Sequence, residues 1–291
     1  MRLRAPAVAG YFYPGAEGEL RKMLAQLVHP DTPRIPAIGV VCPHAGYIYS
    51  GRTAGRVYSR VHIPRRVLIF GPNHTGMGAP LSCWAHGAWR TPLGVVPIDE
   101  DLARRLLDAC PYLEDDTQAH LREHAIEVQL PFLQYLVREF SFVPIVVGTT
   151  DMTALTALAQ AVVTAVRDTS EPVLLVASTD MSHYIPAKDA ADIDQHAIRA
   201  IAAVDGPALY QAVHTYKISM CGYLPTTVVL MAARALGAVQ GELVEYTHSG
   251  VVTGDDHSVV AYLGMILRGA HGSLDTEVSA SHVHDGRSAD R

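Results

Sequence analysis

The sequence has no long apolar run and no concentration of basic residues. No apolar stretch reaches the roughly 18 residues that a membrane-spanning helix needs, and the first ten residues lack the continuous apolar region of a signal peptide. The net charge is −6, and no cluster of five or more basic residues occurs. Electrostatics therefore gives no support for binding to nucleic acid or to an anionic membrane, and we expect neither among the partners.

Cysteine is also scarce. The four cysteines are widely spaced, and no Cys-x-x-Cys pair occurs. This spacing is typical of a reducing compartment rather than of a disulfide framework, so we expect a cytoplasmic protein. The chain also lacks the G-x-S-x-G motif of serine hydrolases, the phosphate loop GxxxxGKS/T and a G-x-G-x-x-G turn after a strand. These absences argue against three common enzyme classes.

The composition is that of a protein with a sizeable core. Of the 291 residues, 49% are hydrophobic and 18% are charged. Apolar strands alternate with amphipathic helices from residue 38 to residue 267, without a linker rich in Ser, Pro or Gly and without a repeat. This order predicts a single three-layer α/β domain over residues 1–268, with a mostly parallel or mixed central sheet. Residues 269–291 are polar and aperiodic and are predicted to form a disordered tail.

Hydrophobic periodicity assigns the individual elements. The predicted strands are residues 38–41, 67–70, 142–147, 173–177, 243–247 and 258–267. The predicted helices are residues 19–28, 52–61, 99–107, 123–140 (kinked or broken at Pro131), 152–166, 189–203, 206–216 and 225–236, with a hairpin or irregular insertion at 81–96. The first two strands and the helix between them should form a right-handed, parallel βαβ unit.

Three of the predicted strands end in polar loops that contain histidine. The first strand is followed by His44 and the second by His74, and the strand at 173–177 leads to Asp180 and His183. Gly71-Pro72 should end the second strand, because proline cannot continue a strand ladder. In α/β proteins the loops after the carboxyl ends of strands usually carry the chemistry. We therefore expect these loops to converge on one edge of the sheet.

His44, His74 and Cys221 form a candidate metal site. The two histidines follow strands that we predict to be neighbours, and Cys221 precedes the helix at 225–236, whose amino terminus should lower the pKa of the thiol. Imidazole and thiolate together favour iron, copper or zinc over magnesium or calcium, and three protein ligands leave an open position. Each residue alone is better interpreted as an ordinary loop histidine or buried cysteine; their shared placement supports the hypothesis.

Asp180 and His183 are acid–base candidates, since a histidine held by a carboxylate can exchange a proton at neutral pH. The alternative is that Asp180 caps the following turn. His124 and Glu127 should share one helix face, with His120 one turn earlier. They form either a rival metal cluster or, as we favour, partners that orient the metal ligands.

Six motifs are shared with a known family. They are AGYFYP at residues 9–14, PHAGYIYSG at 43–51, GPNH at 71–74, EHAIEVQLPF at 123–132, STDMSHY at 178–184 and MCG at 220–222. In these motifs the chain resembles the Memo family, whose bacterial and archaeal members are called AmmeMemoRadiSam system protein B. The resemblance covers about residues 5–268.

The resemblance implies a fold similar to that of the class III extradiol dioxygenases, which are non-haem iron enzymes. It also implies a metal pocket at His44, His74 and Cys221, with Asp180 and His183 nearby, and an association with radical-SAM system proteins. In the dioxygenases the ligands are two histidines and a glutamate. Cys221 departs from that set, and a thiolate changes the redox behaviour of the metal and is itself oxidisable.

Three functions remain open at this level. The first is a metal-binding redox protein or oxidoreductase that contains iron (Fe²⁺) or copper. The second is a non-catalytic module that binds a small molecule or a peptide in a pocket lined by Tyr11, Tyr13, Tyr47 and Tyr49. The third is a zinc-dependent hydrolase, which is disfavoured because zinc hydrolases more often present clustered His/Asp motifs.

Overall fold

The computed structural model describes residues 2–270, so the predicted tail lies outside the described residues from residue 271 onward. The strands are β1 (Leu3–Arg4), β2 (Gly39–Cys42), β3 (Arg66–Pro72), β4 (Leu81–Cys83), β5 (Ala88–Thr91), β6 (Gly94–Pro97), β7 (Glu114–Asp115), β8 (Ser141–Val147), β9 (Val173–Ser178), β10 (His183–Ile185), β11 (Ala238–His248) and β12 (Val259–Gly269). The helices are α1 (Glu17–Leu27), α2 (Tyr47–Ser59), α3 (Glu100–Ala109), α4 (Leu130–Leu136), α5 (Met152–Arg167), α6 (Ala187–Ala202), α7 (Gly206–Tyr216), α8 (Tyr223–Ala235) and α9 (Gly250–Thr253).

The central sheet is mixed. Its strands lie in the order β10-β12-β2-β9-β3-β8-β4-β7, and β11 pairs with the outer side of β12. The four strands in the middle, β2, β9, β3 and β8, are parallel. They are flanked by the antiparallel strands β12 and β4. All four parallel strands therefore end at the same edge of the sheet, called the carboxyl edge below.

Helices cover both faces of this sheet, which gives the three predicted layers. Alternate residues of one strand enter two different cores: Leu68 and Phe70 of β3 pack with α3, α5 and α8, whereas Val67 and Ile69 pack with α1, α2 and α4. All four are fully buried. Strands buried on both faces carry nearly continuous apolar runs, which is why the sequence pattern located them.

Two expectations about β3 are wrong. The strand does not stop before Gly71-Pro72 but continues to Pro72. Beyond Phe70 it pairs with β8 alone, so the missing N–H of Pro72 can lie on the unpaired side. Moreover, β2 and β3 are parallel but not neighbours, because β9 lies between them. Sequence order does not reveal such an insertion.

The long helix predicted over residues 123–140 is also wrong. Two short 3₁₀ turns, at Gln118–His120 and Glu127–Gln129, precede α4, which has only seven residues. The Glu123 carboxylate accepts hydrogen bonds from the backbone N–H groups of His124 and Ala125, which competes with a regular helix start. Pro131 lies in the first turn of α4, where its missing N–H costs nothing.

The remaining elements lie close to their predicted positions. The Asp99 side chain accepts a hydrogen bond from the backbone N–H of Leu102 and caps α3. The insertion at 81–96 contains the β5–β6 hairpin, and β1 joins that hairpin in parallel as a small second sheet. The helix predicted to begin at residue 52 begins at Tyr47. None of the helices of residues 2–270 combines the length and the apolar character needed to span a membrane.

Candidate metal centre

The candidate residues meet at the carboxyl edge of the sheet. His44, His74 and Asp180 each lie two residues beyond the end of a parallel strand, namely β2, β3 and β9. Cys221 lies two residues before α8, which packs against β9 and β3 from one face. Because β9 separates β2 from β3, Asp180 follows the strand that lies between those of the two histidines.

The potential ligand atoms of His44, His74 and Cys221 all lie within 4.8 Å of one another. The Cys221 Sγ and the His44 Nε2 are 3.1 Å apart. A metal with bonds of about 2.1 Å to nitrogen and about 2.3 Å to sulfur, at a right angle, would hold these two atoms at a separation of roughly 3.1 Å. This separation therefore fits two ligands of one ion, and the third donor, on His74, lies within 4.8 Å of both.

A buried serine determines which nitrogen of His44 is free. The Ser178 Oγ donates to the Ala125 carbonyl at 2.6 Å and accepts from the Gln129 amide at 2.8 Å. Since its one proton is used, it accepts the third contact, from His44 Nδ1 at 3.0 Å. The network thus places the proton of neutral His44 on Nδ1 and leaves the Nε2 lone pair directed at Cys221.

Glu123 holds the Nδ1 proton of His74 in the same way and leaves the Nε2 of that ring free. Its side chain is fully buried, and its Oε1 accepts from His74 Nδ1 at 2.9 Å while its Oε2 accepts from the His74 backbone N–H at 2.8 Å. Burial raises the pKa of this carboxyl, but the hydrogen bond from His74 and the charges of His74 and His124 outweigh it and hold that pKa at about 2. Carboxylates commonly orient metal-binding histidines in this way.

The two histidines differ in their electrostatics. Burial, reinforced by the charge of His74, lowers the pKa of His44 to about 3, so this imidazole is neutral at pH 7. Burial also lowers the pKa of His74, but its hydrogen bond to Glu123 and the charge of that carboxylate outweigh burial and raise the pKa above its ordinary value. His44 therefore has a free lone pair for a cation at neutral pH. At His74 a cation would have to compete with a proton.

The predicted lowering of the Cys221 pKa is wrong for the metal-free protein. Burial, with the charge of Asp180 as the next cause, raises the pKa of the thiol well above its ordinary value and outweighs the adjacent helix start. The thiol is therefore protonated at neutral pH. A bound cation would reverse this, because a coordinating thiol is deprotonated outright.

Asp180 and His183 lie beside this cluster. The Asp180 Oδ1 accepts from the His44 backbone N–H at 2.8 Å, and its backbone N–H points to the Cys221 Sγ at 3.3 Å, so the side chain does not cap the next turn. Burial raises the pKa of Asp180, and the charge of His183 is close enough to oppose that shift. The Nδ1 of His183 donates to the Ser219 carbonyl at 2.9 Å, which leaves Nε2 as a proton acceptor.

His124 and Glu127 do not share a face, because the helix predicted there does not form. The His124 ring stacks on that of His74 with centroids 4.6 Å apart, and burial lowers its pKa to about 4. The Glu127 carboxylate instead accepts hydrogen bonds from Arg4 and Tyr13, away from the histidine cluster. His120 is fully buried near Trp89 and belongs to neither group.

Glu123 is the site residue that the sequence interpretation missed. It stands next to His124 in the motif EHAIE, but the assumption of a helix directed attention to the i, i+3 pair. His74, Glu123 and His124 also bring their ligand atoms within 4.8 Å of one another. Because Glu123 Oε1 already accepts three hydrogen bonds, we interpret it as the holder of His74 rather than as a ligand.

The aromatic residues proposed as pocket walls divide into two pairs. Tyr13 and Tyr47 are buried, and their hydroxyl groups donate to Glu127 and to the Val128 carbonyl, both at 2.6 Å. Tyr11 and Tyr49 are exposed. A separate cleft of about 980 Å³ lies at the opposite edge of the sheet, beside Arg66 and Ser141, and has no connection with the histidine cluster.

A family model described as "Memo-like protein" matches residues 4–266. The chain belongs to the Memo family. A MEMO1 family protein of Aquifex aeolicus is 45% identical over 269 residues, which cover 92% of this chain and 100% of the relative. A second MEMO1 family protein, from Methanopyrus kandleri, is 41% identical over 279 residues and covers 91% of this chain and 99% of its own length.

A solved structure has a similar fold. An uncharacterised protein from Escherichia coli K12 superimposes with a TM-score of 0.54 at 14% sequence identity, and the match covers 77% of this chain and 98% of that chain. At this identity the likeness shows the fold alone. It agrees with the mixed α/β architecture described above.

Proposed function

We propose that this Memo-family chain is a metal-dependent redox protein that binds one ion, iron first and copper second, through His44, His74 and Cys221. The observation that carries the proposal is the convergence of three donor atoms within 4.8 Å. Two of these donors belong to imidazoles whose other nitrogen is engaged by a buried partner. Two imidazoles and a thiolate suit metals that change oxidation state, and a bound ion would supply that redox chemistry and an open coordination position.

The protein side chains contribute orientation and proton transfer. Ser178 and Glu123 hold the two imidazoles in place. The Nε2 of His183 is free to take a proton from a ligand that binds beside the cluster, because its Nδ1–H is held by a carbonyl. Asp180 lies 4.0 Å from the Nε2 of His44, and burial raises its pKa, so it can retain a proton more readily than an exposed carboxyl.

A second function, binding of a small molecule or peptide without turnover, is favoured by Tyr184. This residue has a left-handed backbone (φ 60°), and its side chain is 78% exposed directly beside His183. A large non-glycine residue in that conformation is uncommon, and such strain tends to occur at functional sites. The exposed ring could contact a ligand at the mouth of the site. An association with radical-SAM system proteins remains a proposal based on the family resemblance.

Metal analysis of untagged protein, purified without added metal, tests the redox proposal. We expect about one iron or copper ion per chain in the wild type, loss of that ion in Cys221→Ala, and its retention in the control Cys110→Ala. Cys110 is buried, whereas Cys221 is half-buried, and it lies at the end of α3, away from the site. The histidines after residue 270 are the same in every variant, so the difference between variants is the measured quantity.

The outcomes separate the three functions. Iron or copper that persists undiminished in Cys221→Ala would refute the proposed site. Stoichiometric zinc together with esterase or amidase activity would favour a hydrolase. Ligand binding that is lost in Tyr184→Ala, in a protein that holds no metal, would favour the binding module.

A further inference from the structure

The amino-terminal arm, residues 2–16 before α1, contributes a buried arginine to the segment that carries Glu123. Arg4 lies in β1, and its side chain is 1% exposed. Its Nε donates to the His120 carbonyl and one terminal nitrogen donates to the Glu123 carbonyl, both at 2.7 Å. The other terminal nitrogen donates to Glu127 at 2.6 Å. One guanidinium thus contacts the segment 120–127 at three points.

Glu127 connects residues 7–13 of the arm to the same segment through hydrogen bonds. Its Oε2 accepts from the backbone N–H of Ala7 at 2.7 Å, in addition to Arg4. Its Oε1 accepts from the Val8 N–H at 3.0 Å and from the Tyr13 hydroxyl at 2.6 Å. The carboxylate is fully buried, and the four hydrogen bonds that it accepts all come from the arm.

The segment held in this way is the one that orients His74. Residues 121–126 are not helical, so a carbonyl group that a helix would satisfy internally needs another donor. Arg4 supplies that donor to the Glu123 carbonyl and adds a second one to the His120 carbonyl, which also accepts from the Glu123 N–H at 3.3 Å. The side chain of Glu123, whose carbonyl Arg4 holds, makes two hydrogen bonds to His74. Phe12 of the same arm packs against His124, with ring centroids 4.7 Å apart.

We propose that Arg4 is a positioning residue of the metal centre, which acts through the backbone of Glu123 on the orientation of His74. A buried ion pair adds little net stability compared with apolar packing, so stability alone does not account for this one. A planar guanidinium with donors in a fixed fork can hold three acceptors in one geometry, which a lysine ammonium cannot do. The expected effect on metal affinity rests on the proposed function. The effect of Arg4 on the orientation of His74 is measurable in the metal-free protein.

The first test is nuclear magnetic resonance of the metal-free protein with ¹⁵N-labelled histidine. We expect a His74 Nδ1–H signal, identified by its loss in His74→Gln, that exchanges slowly with water. In Arg4→Met, which keeps an apolar stem but no donor, exchange should accelerate at least 10-fold. The control is Arg66→Met, which removes an arginine paired with Asp99 at the opposite edge of the sheet and should leave the signal unchanged.

The second test is titration with Co²⁺, a spectroscopic probe of thiolate coordination. We expect the affinity of folded Arg4→Met to fall about 10- to 100-fold, the usual range when a group that orients a ligand is lost. Arg4→Lys should lose affinity too, because a single ammonium cannot replace the fork. Arg66→Met should bind Co²⁺ like the wild type.

The inference on Arg4 and the proposed function can fail separately. A wild type that binds Co²⁺ without a thiolate absorption band would refute the proposed function, and the exchange of His74 Nδ1–H would still decide the role of Arg4. Unchanged exchange and unchanged affinity in folded Arg4→Met would overturn that role. Failure of both Arg4 variants to fold, while Arg66→Met folds, would assign Arg4 to stability and overturn it equally.

Discussion

Replacing Glu123 by glutamine changes one atom in the buried support of His74. The carboxylate accepts four hydrogen bonds: Oε2 accepts from the His74 backbone, and Oε1 accepts from His74 Nδ1 and from the backbone of His124 and Ala125. The glutamine amide nitrogen is a donor, so it must oppose at least one donor. The least costly placement is at the Oε2 position, where it faces the His74 N–H across 2.8 Å.

This placement determines how much the substitution should change the stability, the pKa of His74 and the metal affinity. One buried donor left without an acceptor costs about 1–3 kcal/mol of unfolding free energy. His74 Nδ1–H keeps a neutral acceptor but loses the charge of Glu123, which together with the hydrogen bond to that carboxylate raises the pKa of His74 against burial. Burial remains, so the pKa of His74 should fall in Glu123→Gln. Metal affinity should decrease about 10- to 100-fold, because the ligand is held less firmly.

Urea unfolding, Co²⁺ titration and nuclear magnetic resonance of His74 measure the three effects. The matched control is Asp99→Asn, a buried carboxylate at the opposite edge of the sheet that caps α3 and contacts Ser141. It should lose comparable stability and keep its metal affinity. If Glu123→Gln binds Co²⁺ as tightly as Asp99→Asn does, the role assigned to Glu123 is refuted, whatever its stability.

Three further predictions concern protons and packing. Metal affinity should rise at least about 10-fold per pH unit between roughly pH 6 and pH 8, because Cys221 must release a proton and any protonated His74 must release another. In potentiometric titration, the residual metal affinity of Cys221→Ala should show a slope smaller by one proton. Burial lowers the pKa of His120 to about 3, against about 6.5 when unfolded. The unfolded state therefore binds the extra proton between these values, and stability falls as the pH falls through that window. In His120→Phe, urea unfolding between pH 6.5 and pH 4.5 should show a pH slope smaller by up to about 1.4 kcal/mol per unit, and an unchanged slope would refute this assignment. Gly55→Ala should lower stability by about 1–3 kcal/mol or more, because a Cβ would lie 2.1 Å from the Leu27 carbonyl oxygen, whereas Gly18→Ala has open space and should gain up to about 1 kcal/mol in thermal unfolding.

Local pattern predicted those parts of the fold that depend on neighbouring residues. Strands buried on both faces, such as β3 and β9, are continuous apolar runs, and the capped helix α3 begins where Asp99 predicts it. The segment 123–140 is the exception, since its apolar stripe has helical spacing. There the side chain of Glu123 and the fork of Arg4 take the backbone hydrogen bonds that a helix would have made.

The features of the candidate site also divide into those that local sequence predicts and those that depend on distant residues. Strand-to-loop transitions marked His44 and His74, because glycine and proline next to a histidine are visible in the sequence. Three features were not visible: the contact of Glu123 with His74 across 49 residues, that of Arg4 with Glu127 across 123, and the burial that reverses the expected pKa shift of Cys221.

The sequence by itself determined which residue types stand at the ends of the strands, and hence that two imidazoles and a thiol were available for one site. Only the tertiary structure decided that β9 lies between β2 and β3, that Glu123 and not Glu127 holds His74, and that the amino-terminal arm closes on the segment between them. The physical reason is that periodicity records which face of an element is buried. It does not record which distant element supplies the partner, and His44 and Cys221, in contact at 3.1 Å, are 177 residues apart in the chain.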